Sequence, residues 1–461
     1  MTQLVIIPAN IQPFCWKLSL RRASFVCLVL TLWLLPFPVR LPLDDGFGGN
    51  SLTALDIYPA DLAALGAILY GLVGWLPDRH LTKSWPFQAR SGMIAAVGLV
   101  GWAALSLVWA SEPRFGQHML ARLGLGLILG WAVMYRSAAE RRFMAAVLFA
   151  GGSLQGAIAL WQFVRQEAVS LIFWPTVYAP QIRGSSVVQV GPGRDFILRS
   201  YGTLSHPNVL GGYLVLAFLA GVWLWLGLKR SSPEFRPAGA DRINMIGRGL
   251  LLLGLSLIMT GLVVSFSRSA WLGLGLGLIN LIGPKLLRFA KQKNWKLRRW
   301  GGWVVWLGLS LLLIASVATP LSSRLFRFDL PLERNSLEER VNYFRWSFEI
   351  IGQHPWLGAG LNNYTIFSAT RPELGAAAHF PVHNVTLLLI GELGLPGGIC
   401  WLVMLFMILW RPGPELLWVA GISATALIAQ FDHYLWTQPQ SQLLWWLWLG
   451  LWLGNTRLER L

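Results

Sequence analysis

The sequence predicts an all-α polytopic membrane protein of about 12 transmembrane helices, with a long non-cytoplasmic loop containing interfacial helices. Three observations carry this. Hydrophobic residues make up 55% of the 461-residue chain and charged residues only 13%. Apolar runs long enough to cross a bilayer recur from near Ala23 to the C-terminus. Basic residues gather in alternate connections, so the net charge of +17 reads as a topology signal and not as a nucleic-acid footprint.

The first run, 23–39, follows Lys17, Arg21 and Arg22. It has no small-x-small cleavage site and is followed by bulky Leu, Phe and Pro, so it reads as a retained span and not a signal peptide. Further spans are predicted at 57–76, 92–110, 119–135, 143–164, 207–228, 246–266, 269–284, 301–319, 384–410, 415–431 and 440–454. With both termini cytoplasmic, the inside segments hold 24 Lys and Arg residues against 4 in the short outside ones. The long loops 165–206 and 320–383 fall outside, where that rule has less force. The densest cluster, "KLLRFAKQKNWKLRRW" from Lys285, reads as an anchor beside anionic lipid. This outline divides the chain into 1–206, with five helices and an outer loop, and 207–461, with seven helices and the loop 320–383. Cys15, Cys27 and Cys400 form no C-x-x-C pair, so neither a disulfide framework nor a thiolate metal site is indicated.

The topology places Arg268, Arg340, His383, His206, Asn208, Asp432 and His433 on the non-cytoplasmic side, drawn from several segments. Polar groups converging at one membrane face point to a site at the outer leaflet. Each has a plainer reading. "FSRSAW" holds Arg268 in a tight turn, where it could also be a snorkelling interfacial arginine. In the outer loop, Leu337, Val341, Phe344, Phe348 and Ile351 define the apolar stripe of a helix lying on the membrane plane, with Arg340 and Arg345 on opposite flanks. That helix should stop near Gly352, where "HPWLGAG" follows. "SHPNVL" places His206 and Asn208 where capping of the sixth span explains most of the pattern. "FDHYLW" reads as a polar turn, or as a carboxylate setting an imidazole tautomer, although adjacent residues seldom face one another.

The most informative stretch is "VHNVTLLLIGELGLPGG", from Val382. Asn384 suffices as a helix N-cap, which leaves His383 unexplained. The helix start there suits an anion. Glu392 lies on the opposite face and reads as a structural link to another helix. Gly391, Gly394, Gly397 and Gly398 read as close-packing positions.

His383-Asn384 with Gly394 and Gly397, "FSRSAW", "ERVNYFRWSFEIIGQHPWLGAGLNNY" and "GTLSHPNVLGGYL" together resemble the O-antigen ligase and polymerase superfamily over about Arg199 to Gly398. The resemblance implies a GT-C-like membrane glycosyltransferase of the bacterial inner membrane, with a periplasmic site. It would move a glycan from a polyprenyl-diphosphate carrier to a lipid-linked or glycan acceptor, ligase and polymerase being left open. Arg268 and Arg340 would clamp the diphosphate, and His383 would orient or deprotonate the acceptor hydroxyl. Asn384, Arg345, Arg199, His206, Asn208, Asp432 and His433 are the expected substrate-binding residues. No D-x-D motif occurs, so no metal and no other cofactor is expected. Membrane lipid is the remaining partner, and nucleic acid is not one. The alternative is an anion transporter of the bicarbonate-associated branch, which the His383-Asn384 pair and the one-sided placement of the polar residues disfavour.

Overall fold

In the computed structural model the described residues are 12–37, 39–44, 46, 54–75, 87–167, 187–190, 195–228, 240–290, 315, 318–371, 380–410 and 416–456. The helices are α1 (Gln12–Leu34), α2 (Pro59–Trp75), α3 (Phe87–Leu105), α4 (Pro113–Met134), α5 (Ala138–Arg165), α6 (Pro207–Leu228), α7 (Ala240–Val264) and α8 (Arg268–Ala290). They continue with α9 (Ala318–Phe326), α10 (Pro331–Gln353), α11 (Tyr364–Ala369), α12 (Val385–Trp410), α13 (Leu416–Ile428), α14 (Tyr434–Thr437) and α15 (Pro439–Thr456). A helix covers every predicted span except 301–319, most of which lies outside the described residues. Among the described residues six helices, in α3 to α7 and α12, are long and apolar enough to cross a membrane, whereas α2 and α13 are shorter apolar helices. The chain is thus a polytopic membrane protein. The outer faces of α2, α3 and α7 carry exposed Leu62, Leu69, Ile94, Val97, Leu250 and Leu253, as lipid-facing helices do.

The centre of the bundle is α6, buried along nearly its whole length and packed against α5, α7, α8 and α13. Small residues let its neighbours close in. A Cβ at Gly211 would press on Ala270 and Ser267, and one at Gly221 on Phe149. Around this centre α1 packs on α2, α4 on α15, and α3 on α12. Helix α5 starts on a capping box, in which Ser137 Oγ accepts the Glu140 N–H at 3.2 Å and Glu140 accepts the Ser137 N–H at 2.8 Å.

Two short antiparallel ribbons interrupt the all-helical expectation. Strands β1 (Leu41–Pro42) and β2 (Asp56–Ile57) pair between α1 and α2, and β3 (Val187–Gln189) and β4 (Phe196–Leu198) pair ahead of α6. Two- and three-residue strands leave no readable alternation in a sequence.

Helix α10 stops at Gln353 as expected, and its inward face is distinct from the predicted apolar stripe. Tyr343, Ser347 and Ile350 turn toward the protein, while Leu337, Val341 and Phe348 are exposed. An apolar stripe pointing away from the bundle is what a helix lying in the membrane interface presents to lipid.

Helix α12 is broken, and the glycines explain how. Gly394 has φ 66° and ψ −174°, a conformation open essentially to glycine alone, and Pro396 follows two residues later. A Cβ on Gly394 would collide with the Trp356 carbonyl, and one on Gly358 with that of Glu392. The segment after α10 occupies the break. The N–H groups of Ala359 and Gly360 donate to the Gly391 and Glu392 carbonyls at 2.8 Å each, and the Leu395 N–H donates to the Pro355 carbonyl at 2.8 Å. Gly394 and Gly358 therefore serve a backbone-to-backbone seam and not helix-on-helix packing. Glu392 does link helices, accepting the Trp436 indole N–H at 2.9 Å.

Candidate active site

The start of α12 fixes the chain just before it. Asn384 caps α12, its Oδ1 accepting the Leu387 N–H at 2.9 Å. Its Nδ2 reaches Gln430, at 3.2 Å to the carbonyl and 3.3 Å to Oε1. Both ends of the amide are thus engaged inside the protein, which makes Asn384 a positioning residue. It delivers the preceding side chain, His383, against the link between α13 and α14.

There three residues meet. His383 and His433 stand edge to face with ring centroids 5.0 Å apart, and Tyr343 of α10 stacks on the other side of His383 at 5.6 Å. Asp432 lies beside them, but it does not hold its neighbour's ring. Its Oδ1 accepts the His433 backbone N–H at 2.8 Å, and its Oδ2 accepts Asn208 Nδ2–H at 2.6 Å. His433 Nδ1 pairs instead with Thr437 Oγ1 at 2.8 Å, one helical turn on. His383 Nδ1 is buried with no hydrogen-bond partner.

Asn208 extends the chain of bonds, its Oδ1 accepting from Arg199 Nη2 at 2.7 Å while Arg199 Nε donates to the Ser265 carbonyl at 3.0 Å. Asn208 is therefore a bridge from α6 to Asp432, and the capping role falls to His206, whose Nδ1 accepts the Asn208 N–H at 3.1 Å. Next comes a buried ion group that the sequence did not disclose. Glu333, fully buried at the first turn of α10, pairs with Arg268 Nη2 at 3.3 Å and with Arg324 Nη1 of α9. Arg268 also donates to the Arg324 carbonyl at 3.4 Å, and Arg324 to the Phe266 carbonyl at 3.3 Å. Arg340 is half-exposed and reaches the Phe431 carbonyl at 3.2 Å, next to Asp432. Arg345 is exposed on the far flank of α10, and among the described residues nothing joins it to this group.

The electrostatics follow from burial amid arginines. Burial, then the neighbouring His433, pushes the His383 imidazole down to about 3 against the pull of Asp432, so it is neutral at physiological pH. His206 is likewise held at about 3 by burial and by Arg199, and His433 is lowered by burial. Burial alone would raise the Asp432 carboxyl, yet the imidazoles of His383, His433 and His206, with Arg340, hold it well below the usual carboxylate range. The result is a neutral, hydrogen-bond-accepting imidazole beside an excess of guanidinium charge. Such a site favours an anion and a hydroxyl together.

His383, Asp432 and His433 also have ligand-type atoms within 4.8 Å of one another, a grouping able to hold a divalent cation. Both Asp432 oxygens and His433 Nδ1 are already bonded, and Arg340 acts on all three residues with positive charge. These features fit a cation poorly.

Of the residues expected from the sequence, Arg199, His206, Asn208, Arg268, Arg340, His383, Asp432 and His433 come together, Asn384 supports them from behind, and Arg345 stays apart. Arg324, Glu333, Tyr343 and Thr437 were not legible, because no local pattern marks a partner that only tertiary packing supplies. No curated protein matches the chain. Residues 251–402, which include Arg268, Arg324, Glu333, Arg340, Tyr343 and His383, match the family model Wzy_C, described as O-antigen ligase. That match spans about a third of the chain, and it makes this segment similar to the O-antigen ligase family.

Proposed function

We propose that the protein is a metal-independent glycosyltransferase that moves a glycan from a polyprenyl-diphosphate carrier to an acceptor sugar hydroxyl at the outer face of the inner membrane. The observation that carries this reading is the pairing of a neutral, unpartnered imidazole, His383, with the arginine group of Arg199, Arg268, Arg324 and Arg340. Breaking the sugar–phosphate bond leaves charge on the diphosphate oxygens, and arginines placed beforehand stabilise it without reorganising. Glu333 supports Arg268 and Arg324 in fixed positions, so less entropy is lost when the diphosphate arrives.

In this mechanism Arg268 and Arg340 contact the diphosphate, with Arg199 and Arg324 adding charge from behind. His383 accepts the proton of the acceptor hydroxyl as that oxygen attacks the anomeric carbon, and the carrier diphosphate leaves. The arriving dianion places negative charge beside His383, raising its basicity when a base is needed. His433, Asp432 and Asn208 hold the imidazole environment as positioning residues. Arg345 has no role in this scheme. Segments predicted to lie outside bond to one another, as in Arg199 to Asn208 to Asp432 and Arg268 to Glu333, and that agreement favours a one-sided site.

The test is transfer by purified protein in lipid. A polyprenyl-diphosphate-linked oligosaccharide serves as donor, and a lipid-linked core sugar or a second donor as acceptor, with excess chelator throughout. Product on the core sugar indicates a ligase and chain extension a polymerase. Abolition by chelator would overturn the metal-free mechanism, and anion uptake without any transfer would favour the transport branch.

A further inference from the structure

A polar cavity lies one residue away from the histidine pair. Thr437, whose hydroxyl bonds to His433 Nδ1 at 2.8 Å, also lines a cavity of about 40 Å³ with Asp56, His118, Arg122, Gln438 and Gln442. These residues come from the β2 segment, α4, α14 and the start of α15, and all of them lie outside the matched residues 251–402.

Its walls are built and incompletely satisfied. Arg122 is held on three sides, by Asp61 at 3.3 Å, by the Asp56 carbonyl and by the Tyr58 ring at 5.2 Å. Asp56 is paired with Arg40 at 2.7 Å. Yet Arg122 Nη1, Asp56 Oδ1 and Gln442 Oε1 are all buried without a partner, on residues only 8%, 4% and 3% exposed. Each such atom is costly to leave unpaired. The cavity has room for about three water-sized oxygens at roughly 10–15 Å³ each.

The chemistry of the lining selects the occupant. Arg40 and Arg122 balance Asp56 and Asp61, so this cavity has no net pull on a phosphate, unlike the arginine group across the histidines. One unpartnered donor and two unpartnered acceptors suit groups that both donate and accept, which sugar hydroxyls do. Resting on the transferase reading, we propose that this cavity is the acceptor subsite, taking the hydroxyl edge of the acceptor sugar and setting its reactive hydroxyl toward His383. Gln442, Gln438 and Arg122 would then decide which acceptor is used.

Equilibrium binding to the full-length protein in nanodiscs tests this, with Gln442→Leu and Gln438→Ala as variants. The probes are a lipid-linked core oligosaccharide, a glycan-bearing polyprenyl diphosphate, and the sugar-free polyprenyl diphosphate. Expected is core-oligosaccharide binding weakened about tenfold in Gln442→Leu, with sugar-free carrier binding within about twofold of wild type. If the acceptor is instead a second donor, glycan-bearing carrier should occupy two sites in wild type and one in the variant. Sugar binding unchanged in both variants would mean that the cavity holds only water and would overturn the proposal, as would equal losses for the sugar-free carrier. Gln442-dependent sugar binding with no transfer under any condition would leave the subsite standing and remove the transferase reading.

Discussion

Glu333 is fully buried and sets its carboxylate between two guanidinium groups, with Arg268 Nη2 at 3.3 Å on one side and Arg324 on the other. A buried carboxylate between two arginines adds little net stability by itself, since desolvation offsets most of the attraction, but removing it leaves the buried Arg324 and the half-buried Arg268 as like charges facing each other. Its value lies in fixing where Arg268 points. Glu333→Gln should therefore lower transfer by about 100-fold through misplacement of the clamp. Donor affinity should fall less than turnover, as comparison of donor binding with single-turnover rates will show.

Arg340 and Arg345 sit on the same helix and separate cleanly. Arg340→Ala should lower transfer by about 100- to 1000-fold, the loss expected when one preorganised donor to developing charge is removed. Arg345→Ala should stay within about twofold of wild type, since surface changes away from such features are small. Similar losses in both would show that the helix acts by anchoring and not through Arg340.

The acid side of the pH profile follows from His383. Its imidazole lies at about 3 in the folded protein against 6.5 ordinarily, so the free enzyme keeps a neutral base well below pH 6.5. The acid limb of kcat/KM, which reports the free enzyme, should then fall only below about pH 4, with no inflection near 6.5. Stability has the matching sign. Between 6.5 and about 3 the unfolded chain binds a proton that the native imidazole does not, so stability is full above 6.5 and declines on acidification. The apparent Tm should drop from pH 7 to pH 5, and His383→Gln should reduce that drop.

Gly394→Ala tests the break in α12. The left-handed φ of 66° and the collision with the Trp356 carbonyl both oppose a side chain. A loss of about 1–3 kcal/mol is expected from strain alone. Gly352, with open space around its would-be Cβ, is the control. Gly352→Ala should be neutral or slightly stabilising. The two are distinguished by thermal unfolding of the purified variants in detergent.

Much of this was legible in the sequence, for identifiable reasons. Long apolar runs mark helices through composition alone, and the polar residues between those runs, His206, Arg268, Arg340, His383 and Asp432 among them, stand out against that background. Details carried by tertiary contact were not legible. Asp432 precedes His433, yet its Oδ2 goes to Asn208, some two hundred positions earlier in the chain. Glu333 looks like any first-turn acidic residue until α9 folds over it. The glycines after His383 read as packing positions because a sequence shows that glycine is required without showing whether space or φ demands it.

The most direct measurement of the central claim is transfer by His383→Ala and His383→Gln in lipid, alongside binding of the polyprenyl-diphosphate-linked donor. The mechanism predicts donor binding close to wild type, because the arginines are untouched, with transfer reduced by at least about 100-fold in both variants. Transfer at the wild-type rate in either variant would contradict the assignment of His383 as the residue that receives the acceptor proton.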